Sequence, residues 1–175
     1  TLRLPRAGTT RARRMLAHGT TTVEVKSGYG IEHDAEMRQL DAALRVDTES
    51  EVPDVVPTYL PLHALPDGSR DDFIDNVCVA GVADAARRAH FVDAFCEDGA
   101  YTVEECERVF TAARAHGMRP KIHAEQRTRS GGALLAARSG AVGAAHVGHA
   151  LDSASQAVRA PRGVGGRLRR RGACG

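Results

Sequence analysis

The sequence lacks the features that mark membrane, secreted and nucleotide-binding proteins. No apolar run approaches the roughly 20 residues of a membrane-spanning helix. The chain does not open on the charged, apolar and small-residue pattern of a signal peptide, so the expected location is the cytoplasm. No GxGxxG or P-loop motif follows an apolar segment, which disfavours a phosphate-binding loop.

The sequence also lacks closely spaced cysteine pairs and a basic patch interspersed with aromatic residues, which is typical of nucleic-acid binding. Cys78, Cys96, Cys106 and Cys174 form no CxxC pair, so we expect buried thiols rather than a zinc site or a disulfide framework. The net charge of +2 combines two arginine-rich ends with an acidic middle. Because these ends contain neither interleaved aromatics nor a recognisable binding module, nucleic acid is a disfavoured partner.

What the sequence does contain is the composition of a soluble globular domain. The 175 residues are 42% hydrophobic and 26% charged. This length suffices for one sizeable core, but a complete (β/α)8 barrel needs about 250 residues.

Apolar strand-like runs alternate with helical repeats along the chain. Strands are predicted at 20–26, 55–62, 91–96, 119–124 and 141–147. Helices are predicted at 5–18, 33–46, 71–89 with a break at Gly81, 102–116 and 130–139, and a weak one at 152–158. Thr102 with Glu105 forms a capping-box pattern. Five such β-then-α units predict an α/β fold with a parallel sheet.

Two architectures share this pattern, namely a doubly wound sheet and a segment of a TIM barrel. Polar side chains at the ends of several successive strands favour an incomplete (β/α)8 barrel over residues 1–158. Residues 159–175, rich in Arg and Gly, have no apolar periodicity and are predicted to be a disordered tail, for which a frame-shifted end of the coding sequence is the open alternative.

The segment RPKIHAEQ (119–126) carries the strongest chemical signal. His123 is a possible metal ligand at a strand end, although a core histidine bonded to a carbonyl has the same appearance. His146 and His149 follow a later strand. Strand alternation implies that only one of Glu125 and Gln126 faces the same side, and it does not say which one.

Two further polar rings, Tyr29 in SGYG and His63 after PL, lie in predicted loops at strand ends. Binding groups are often held in such loops. Packing of Tyr29 over its glycines and solvent exposure of His63 are equally open interpretations.

These motifs resemble those of the imidazolonepropionase family. EVKSGYG, VVPTYLPLHALP, FVDAFCEDGAYTVEE, KIHAEQ and GAVGAAHVGHA occur in that family's order and at similar intervals, from about Gly19 to about Leu151. The family consists of amidohydrolase-superfamily enzymes of histidine breakdown. The resemblance implies a metal-dependent barrel that hydrolyses the cyclic amide of 4-imidazolone-5-propanoate to N-formimidoyl-L-glutamate.

The resemblance also implies roles for individual residues. His123 matches a ligand of Zn or Fe, Tyr29 and His63 match substrate-binding positions, and Gln126 matches a position that contacts substrate and takes part in catalysis. His146 matches a catalytic histidine that polarises the substrate carbonyl or positions water. A small-molecule substrate, no membrane and a possible homodimer are the expected partners.

Departures from the family pattern are equally specific. The first-strand HxH pair and the eighth-strand aspartate have no counterpart, Ala145 stands where an aspartate precedes the histidine, and Glu125 replaces another aspartate. We therefore expect this chain alone neither to hold metal tightly nor to turn over substrate. Two alternatives are a related amidohydrolase such as a deaminase, and a non-catalytic domain whose basic tail binds RNA or an acidic partner.

Overall fold

The computed structural model describes residues 3–150, with side chains from residue 7 onward. The predicted weak helix at 152–158, the predicted tail at 159–175 and Cys174 lie outside the described residues. Cys78, Cys96 and Cys106 are free and buried, as predicted.

Six α-helices, one π-helical segment and five strands follow one another in the described part of the chain. The strands are β1 (Thr22–Lys26), β2 (Asp54–Leu62), β3 (Phe91–Cys96), β4 (Arg119–Ala124) and β5 (Gly143–His146). The helices are α1 (Arg3–Ala17), α2 (His33–Asp47), α3 (Arg70–Phe73), α4 (Val82–Ala85), α5 (Val103–Ala115) and α6 (Gly132–Ser139), with the π-helical segment at Ile74–Val79.

All five strands are parallel and pair in chain order, β1-β2-β3-β4-β5. A doubly wound sheet would instead reverse its strand order at a switch point. The sheet with its flanking helices therefore forms an α/β half-barrel, which agrees with the predicted barrel segment. Because the strands are parallel, their carboxyl ends, from Lys26 in β1 to His146 in β5, meet at one edge.

The helix predicted at 71–89 is interrupted at Gly81 as expected, since α4 begins at Val82, but the π-helical segment between α3 and this interruption was not predicted. The N–H of Ala80 donates to the carbonyl of Asp75, five residues back, instead of closing an α-helical turn. The hydroxyl of the buried Tyr59 lies 3.3 Å from the carbonyl oxygen of Cys78 and donates to it. The Tyr59 hydroxyl, which comes from β2, thus bonds to a backbone carbonyl within the π-helical segment, where the helical turn is wider than in an α-helix.

The capping-box prediction agrees with the structure, and β2 has an irregularity at a proline. Thr102 and Glu105 form the reciprocal capping box at the start of α5. Pro61 lies in the stretch where the β2–β3 register shifts between Tyr59 and Leu62, which is how a strand accommodates a proline.

The core lies between the sheet and its helices. A large cluster centres on β2, β3 and α5 and includes Leu40, Tyr59, Val92, Phe110 and Ile122, each at most 1% exposed. A smaller cluster of Ala12, Ala43, Val46 and Val55 joins α1 and α2 to the sheet. No helix among residues 3–150 is both long and apolar enough to cross a lipid bilayer.

Candidate active site

A cavity of 280 Å³ opens at the carboxyl edge of the sheet. The structure brings all five sequence-predicted site residues to its wall. They are Tyr29, His63, His123, Gln126 and His146, and the remaining lining residues are Lys26, Ser27, Leu60 and Phe95. The cavity thus collects side chains from every strand end of the half-barrel.

His123 is oriented by Asp93, which lies on the neighbouring strand β3. The Asp93 side chain is fully buried, and its Oδ1 lies 3.1 Å from His123 Nδ1. Lys26 Nζ donates to Asp93 Oδ2 at 2.6 Å and lies 3.4 Å from His123 Nε2. Because a carboxylate can only accept, the proton of the neutral imidazole resides on Nδ1 and the lone pair on Nε2.

Burial works against the ionisation of Asp93, but hydrogen bonds from His123 and Lys26 hold its pKa below the ordinary value. A charged Asp93 and a charged Lys26 then neutralise each other next to the imidazole. The buried Asp93 carboxylate is therefore not left without a compensating charge.

A second layer of charge lies along the same strands. Glu24 of β1 accepts hydrogen bonds from the Thr58 hydroxyl and from Lys121 Nζ, the latter at 2.7 Å. Burial opposes the ionisation of Glu24, and these two donors outweigh it and lower its pKa. Lys26 Nζ lies 3.5 Å from Glu24 Oε2, so the two layers form one network across β1, β2, β3 and β4.

The position of His146 brings a second imidazole to the cavity. The ring centroids of His123 and His146 are 5.6 Å apart. His146 is exposed, and its φ of 73° turns the chain at the end of β5. His149, the other histidine of this segment, is not among the lining residues, and its N–H donates to the carbonyl of Glu125.

Gln126, not Glu125, lines the cavity, which answers the question that strand alternation left open. Glu125 has a φ of 53° and is 4% exposed. Its Oε1 accepts the N–H of Gly131 at 3.0 Å, and its buried Oε2 has no hydrogen-bond partner among residues 3–150. Glu125 therefore belongs to the turn that follows β4 and not to the cavity wall.

Tyr29 and His63 line the cavity as two rings in contact. Their centroids are 4.7 Å apart in an edge-to-face arrangement, and Tyr29 is 74% exposed. Gly28 beneath them has a φ of 119°, and a Cβ there would lie 2.7 Å from the carbonyl oxygen of Leu60. Only glycine allows the loop to approach β2 this closely.

The described residues fit one ligand of a metal site but not a complete site. The lone pair on Nε2 of His123 suits a metal, yet the Lys26 ammonium lies 3.4 Å from that atom. Within residues 3–150 no three His, Cys, Asp or Glu side chains converge as a metal would require. A metal at His123 would therefore have to displace Lys26 and find its other ligands elsewhere.

Sequence reasoning missed four residues that contact the site. Lys26 and Asp93 contact His123, and Glu36 and Glu97 accept backbone N–H groups of the loops that carry Tyr29 and Gln126. Asp93 offered a signal, because it is an acid in the middle of the apolar strand FVDAFC. Glu36 occupies an apolar-face position of α2 next to Met37 and is 2% exposed. Asp93 and Glu36 could therefore have been identified as charged residues at positions where the sequence pattern predicts apolar ones.

Comparisons with known proteins agree with the resemblance. The chain is 47% identical to an imidazolonepropionase of Halobacterium salinarum over 82% of this chain and 35% of that protein. It is 45% identical to one of Xanthomonas axonopodis pv. citri over 86% of this chain and 38% of the relative. A third, from Geobacillus thermodenitrificans, is 43% identical over 87% of this chain and 37% of its own length.

No family model matches the chain. The chain spans little more than a third of the length of these curated relatives, with values of 35 to 38%.

Proposed function

The chain matches imidazolonepropionases over most of its length, and we propose that it forms part of such an enzyme, with the cavity as its substrate site. The reaction adds water to the ring carbonyl of 4-imidazolone-5-propanoate and breaks the adjacent carbon–nitrogen bond, which gives N-formimidoyl-L-glutamate. The observation that supports this proposal is the convergence of Tyr29, His63, His123, Gln126 and His146 on one 280 Å³ cavity.

The size and chemistry of the cavity suit this substrate. A volume of 280 Å³ is close to the lower end of small-molecule sites, which hold a small ring and a short tail. Leu60 and Phe95 supply apolar wall, and the Tyr29 and His63 rings line the cavity in contact with each other. Lys26 places a positive charge at the wall, although Asp93 already pairs with it.

We assign the binding and proton-transfer steps to the polar groups of the wall. Tyr29 and His63 hold the substrate ring. The Gln126 amide can donate to the substrate carbonyl and accept from a ring N–H at the same time. His146 can take a proton from the attacking water and return it to the leaving nitrogen, because an imidazole exchanges protons near neutral pH.

We assign the amidohydrolase type of barrel and a Zn or Fe cofactor to the whole enzyme. His123 would contribute one ligand, and the described residues do not supply the others. No step of the mechanism above passes through that ion. The cytoplasmic location and the homodimer expected from the sequence stay predictions.

Binding to this chain can be measured without turnover. We expect imidazole-4-propanoate, a stable analogue with a five-membered nitrogen ring and the propanoate tail, to shift the NMR signals of Tyr29, His63, Gln126 and His146. His116, at the end of α5 and away from the cavity, should not respond. Shifts centred on other surfaces, or none at millimolar analogue, would refute the proposed site.

A further inference from the structure

The carboxylate of Glu97 accepts several hydrogen bonds from the loop that carries Gln126. Glu97 directly follows β3 and is 4% exposed. Its Oε2 accepts the N–H groups of Gln126 at 2.7 Å and Arg127 at 3.0 Å. Its Oε1 accepts the N–H of Thr128 at 3.1 Å and also the Thr128 hydroxyl.

These donors come from three consecutive residues, so together they fix the direction of the chain as it leaves β4. The preceding residue, Glu125, has a φ of 53°, a conformation that residues other than glycine rarely adopt. Such strain persists only where surrounding contacts impose it. The Glu97 carboxylate accepts the backbone N–H groups of the three residues that directly follow this turn residue.

The charge state of Glu97 fits this role. Burial opposes its ionisation, but the Thr128 hydroxyl and the backbone N–H groups outweigh burial and hold the pKa below its ordinary value. At neutral pH the group is therefore an ionised acceptor surrounded by donors. Charge-assisted bonds of this kind are about twice as strong as neutral ones.

A similar contact is made to the loop that carries Tyr29. Glu36 of α2 accepts the N–H of Gly28 at 2.8 Å and the N–H of Gly30 at 2.6 Å. These two residues flank Tyr29. Both loops that carry non-histidine site residues are thus held by a carboxylate that does not itself line the cavity.

We propose that Glu97 is a positioning residue that holds Gln126 in place for the substrate, through the backbone N–H groups of residues 126–128. The inference rests on the proposed function, because it takes Gln126 as a substrate contact. It goes beyond that function by assigning the placement of Gln126 to a residue outside the cavity.

The test uses Glu97→Gln in the full chain, with Glu104→Gln as the matched control on the exposed first turn of α5. An amide of the same size offers only one acceptor oxygen to these donors. We expect amide exchange at residues 126–128 to accelerate roughly tenfold to hundredfold, and the Gln126 side-chain NH2 signals to move. Glu104→Gln should change neither.

Two less disruptive variants of Thr128 test the same contact if Glu97→Gln does not fold. Thr128→Val removes one donor at nearly constant volume, and Thr128→Ser retains it. We expect faster exchange and a moved Gln126 signal in the valine variant, with both restored in the serine variant. Unchanged exchange and an unmoved Gln126 signal in Glu97→Gln, or identical behaviour of the two Thr128 variants, would overturn the proposal.

A second readout separates this inference from the proposed function. Imidazole-4-propanoate should bind the Glu97→Gln and Thr128→Val variants at least several-fold more weakly than the parent chain, with His123 signals unmoved. If the analogue does not bind the parent chain, the proposed function fails, and the exchange measurement still decides whether Glu97 holds the loop. If binding is unchanged while exchange accelerates, Glu97 holds the loop but does not position Gln126.

Discussion

The buried side chain of Asp93 on β3 contacts Lys26 of β1 and His123 of β4. Replacing it by asparagine keeps the volume but leaves Lys26 without a full counter-charge. We expect Asp93→Asn to lower the free energy of unfolding by about 3 kcal/mol, which is the lower end for breaking a buried pair, because Lys26 retains some solvent. Urea denaturation measures the change, and Asp67→Asn at an exposed loop position serves as the control.

The same variant tests the tautomer of His123. In the parent chain, ¹⁵N NMR should show the neutral imidazole protonated at Nδ1, because Asp93 accepts from that atom. In Asp93→Asn the amide can present its NH2 group instead, so a mixture with the Nε2 tautomer is expected. A parent chain protonated at Nε2 would contradict the assignment.

The pH dependence of stability offers an independent view of Glu97. Its pKa in the folded chain is lowered from the ordinary 4.5, so the folded state favours the ionised form more than the unfolded state does. This contribution is present above the ordinary pKa and is lost as pH falls through the folded value. The stability gap between the parent chain and Glu97→Gln should therefore be largest near neutral pH and shrink below about pH 4.5.

The gap can be measured by urea denaturation of both chains at several pH values. Other carboxylates affect both chains alike and cancel in the difference. A gap that stays constant between neutral pH and pH 3 would contradict the lowered pKa.

At the scale of single elements, local signals in the sequence predicted much of the fold. The strands Phe91–Cys96 and Arg119–Ala124 were predicted with their observed bounds, because each is an extended apolar-rich run ended by turn residues. Helix α5 was predicted to begin after Thr102, since a capping box is a contact between residues three apart. These features depend on neighbours in the chain.

What the sequence did not reveal depends on residues far apart in the chain. The π-helical segment meets the Tyr59 hydroxyl from β2, and His123 meets Asp93 from thirty residues earlier. No spacing rule predicts such contacts. Strand-end position did predict that Tyr29, His63 and His123 would share one edge, because a parallel sheet places all its carboxyl ends together.

The packing of α6 on the sheet depends on one small residue. A Cβ on Gly132 would lie 2.4 Å from the Cβ of Ala124 and 3.2 Å from that of Cys96. We expect Gly132→Ala to lower the free energy of unfolding by about 1 to 3 kcal/mol through overpacking. Gly143→Ala is the matched control, because its new Cβ would meet only Lys121 Cγ at 3.9 Å.

Thermal or urea unfolding of the two alanine variants measures this contrast. Alanine favours a helix over glycine by up to about 1 kcal/mol, so a stabilised Gly132→Ala would mean that α6 can move away from β4. Equal behaviour of the two variants would likewise contradict the close packing.

At the scale of the whole molecule, the described chain is a half-barrel with polar groups on its open side. Strands β1 and β5 each have one neighbour within residues 3–150. Glu24, Lys26, Lys121 and His123 keep between 22 and 28% of their side-chain surface exposed. These side chains would be enclosed if further strands completed the barrel, and the chain spans only 35 to 38% of the length of the relatives.

A chimera tests whether this half-barrel supplies a working part of the enzyme. Residues 19–150 would replace the matching segment of the Geobacillus thermodenitrificans relative, which is 43% identical. We expect the chimera to hydrolyse 4-imidazolone-5-propanoate when supplied with zinc or iron, while the 175-residue chain alone shows no turnover under the same conditions. The reason is that residues 3–150 form only half of a barrel and bring no three metal-binding side chains together, so that His123 is their one proposed ligand.

Two variants of the chimera make the result specific. His123→Ala should reduce both bound metal and turnover to background, whereas His116→Ala, outside the cavity, should leave both unchanged. Circular dichroism and gel filtration establish that each chimera is folded before it is assayed. A folded chimera that binds metal without turnover would contradict the roles of Gln126 and His146, and turnover by the chain alone would show that the half-barrel is itself a complete enzyme.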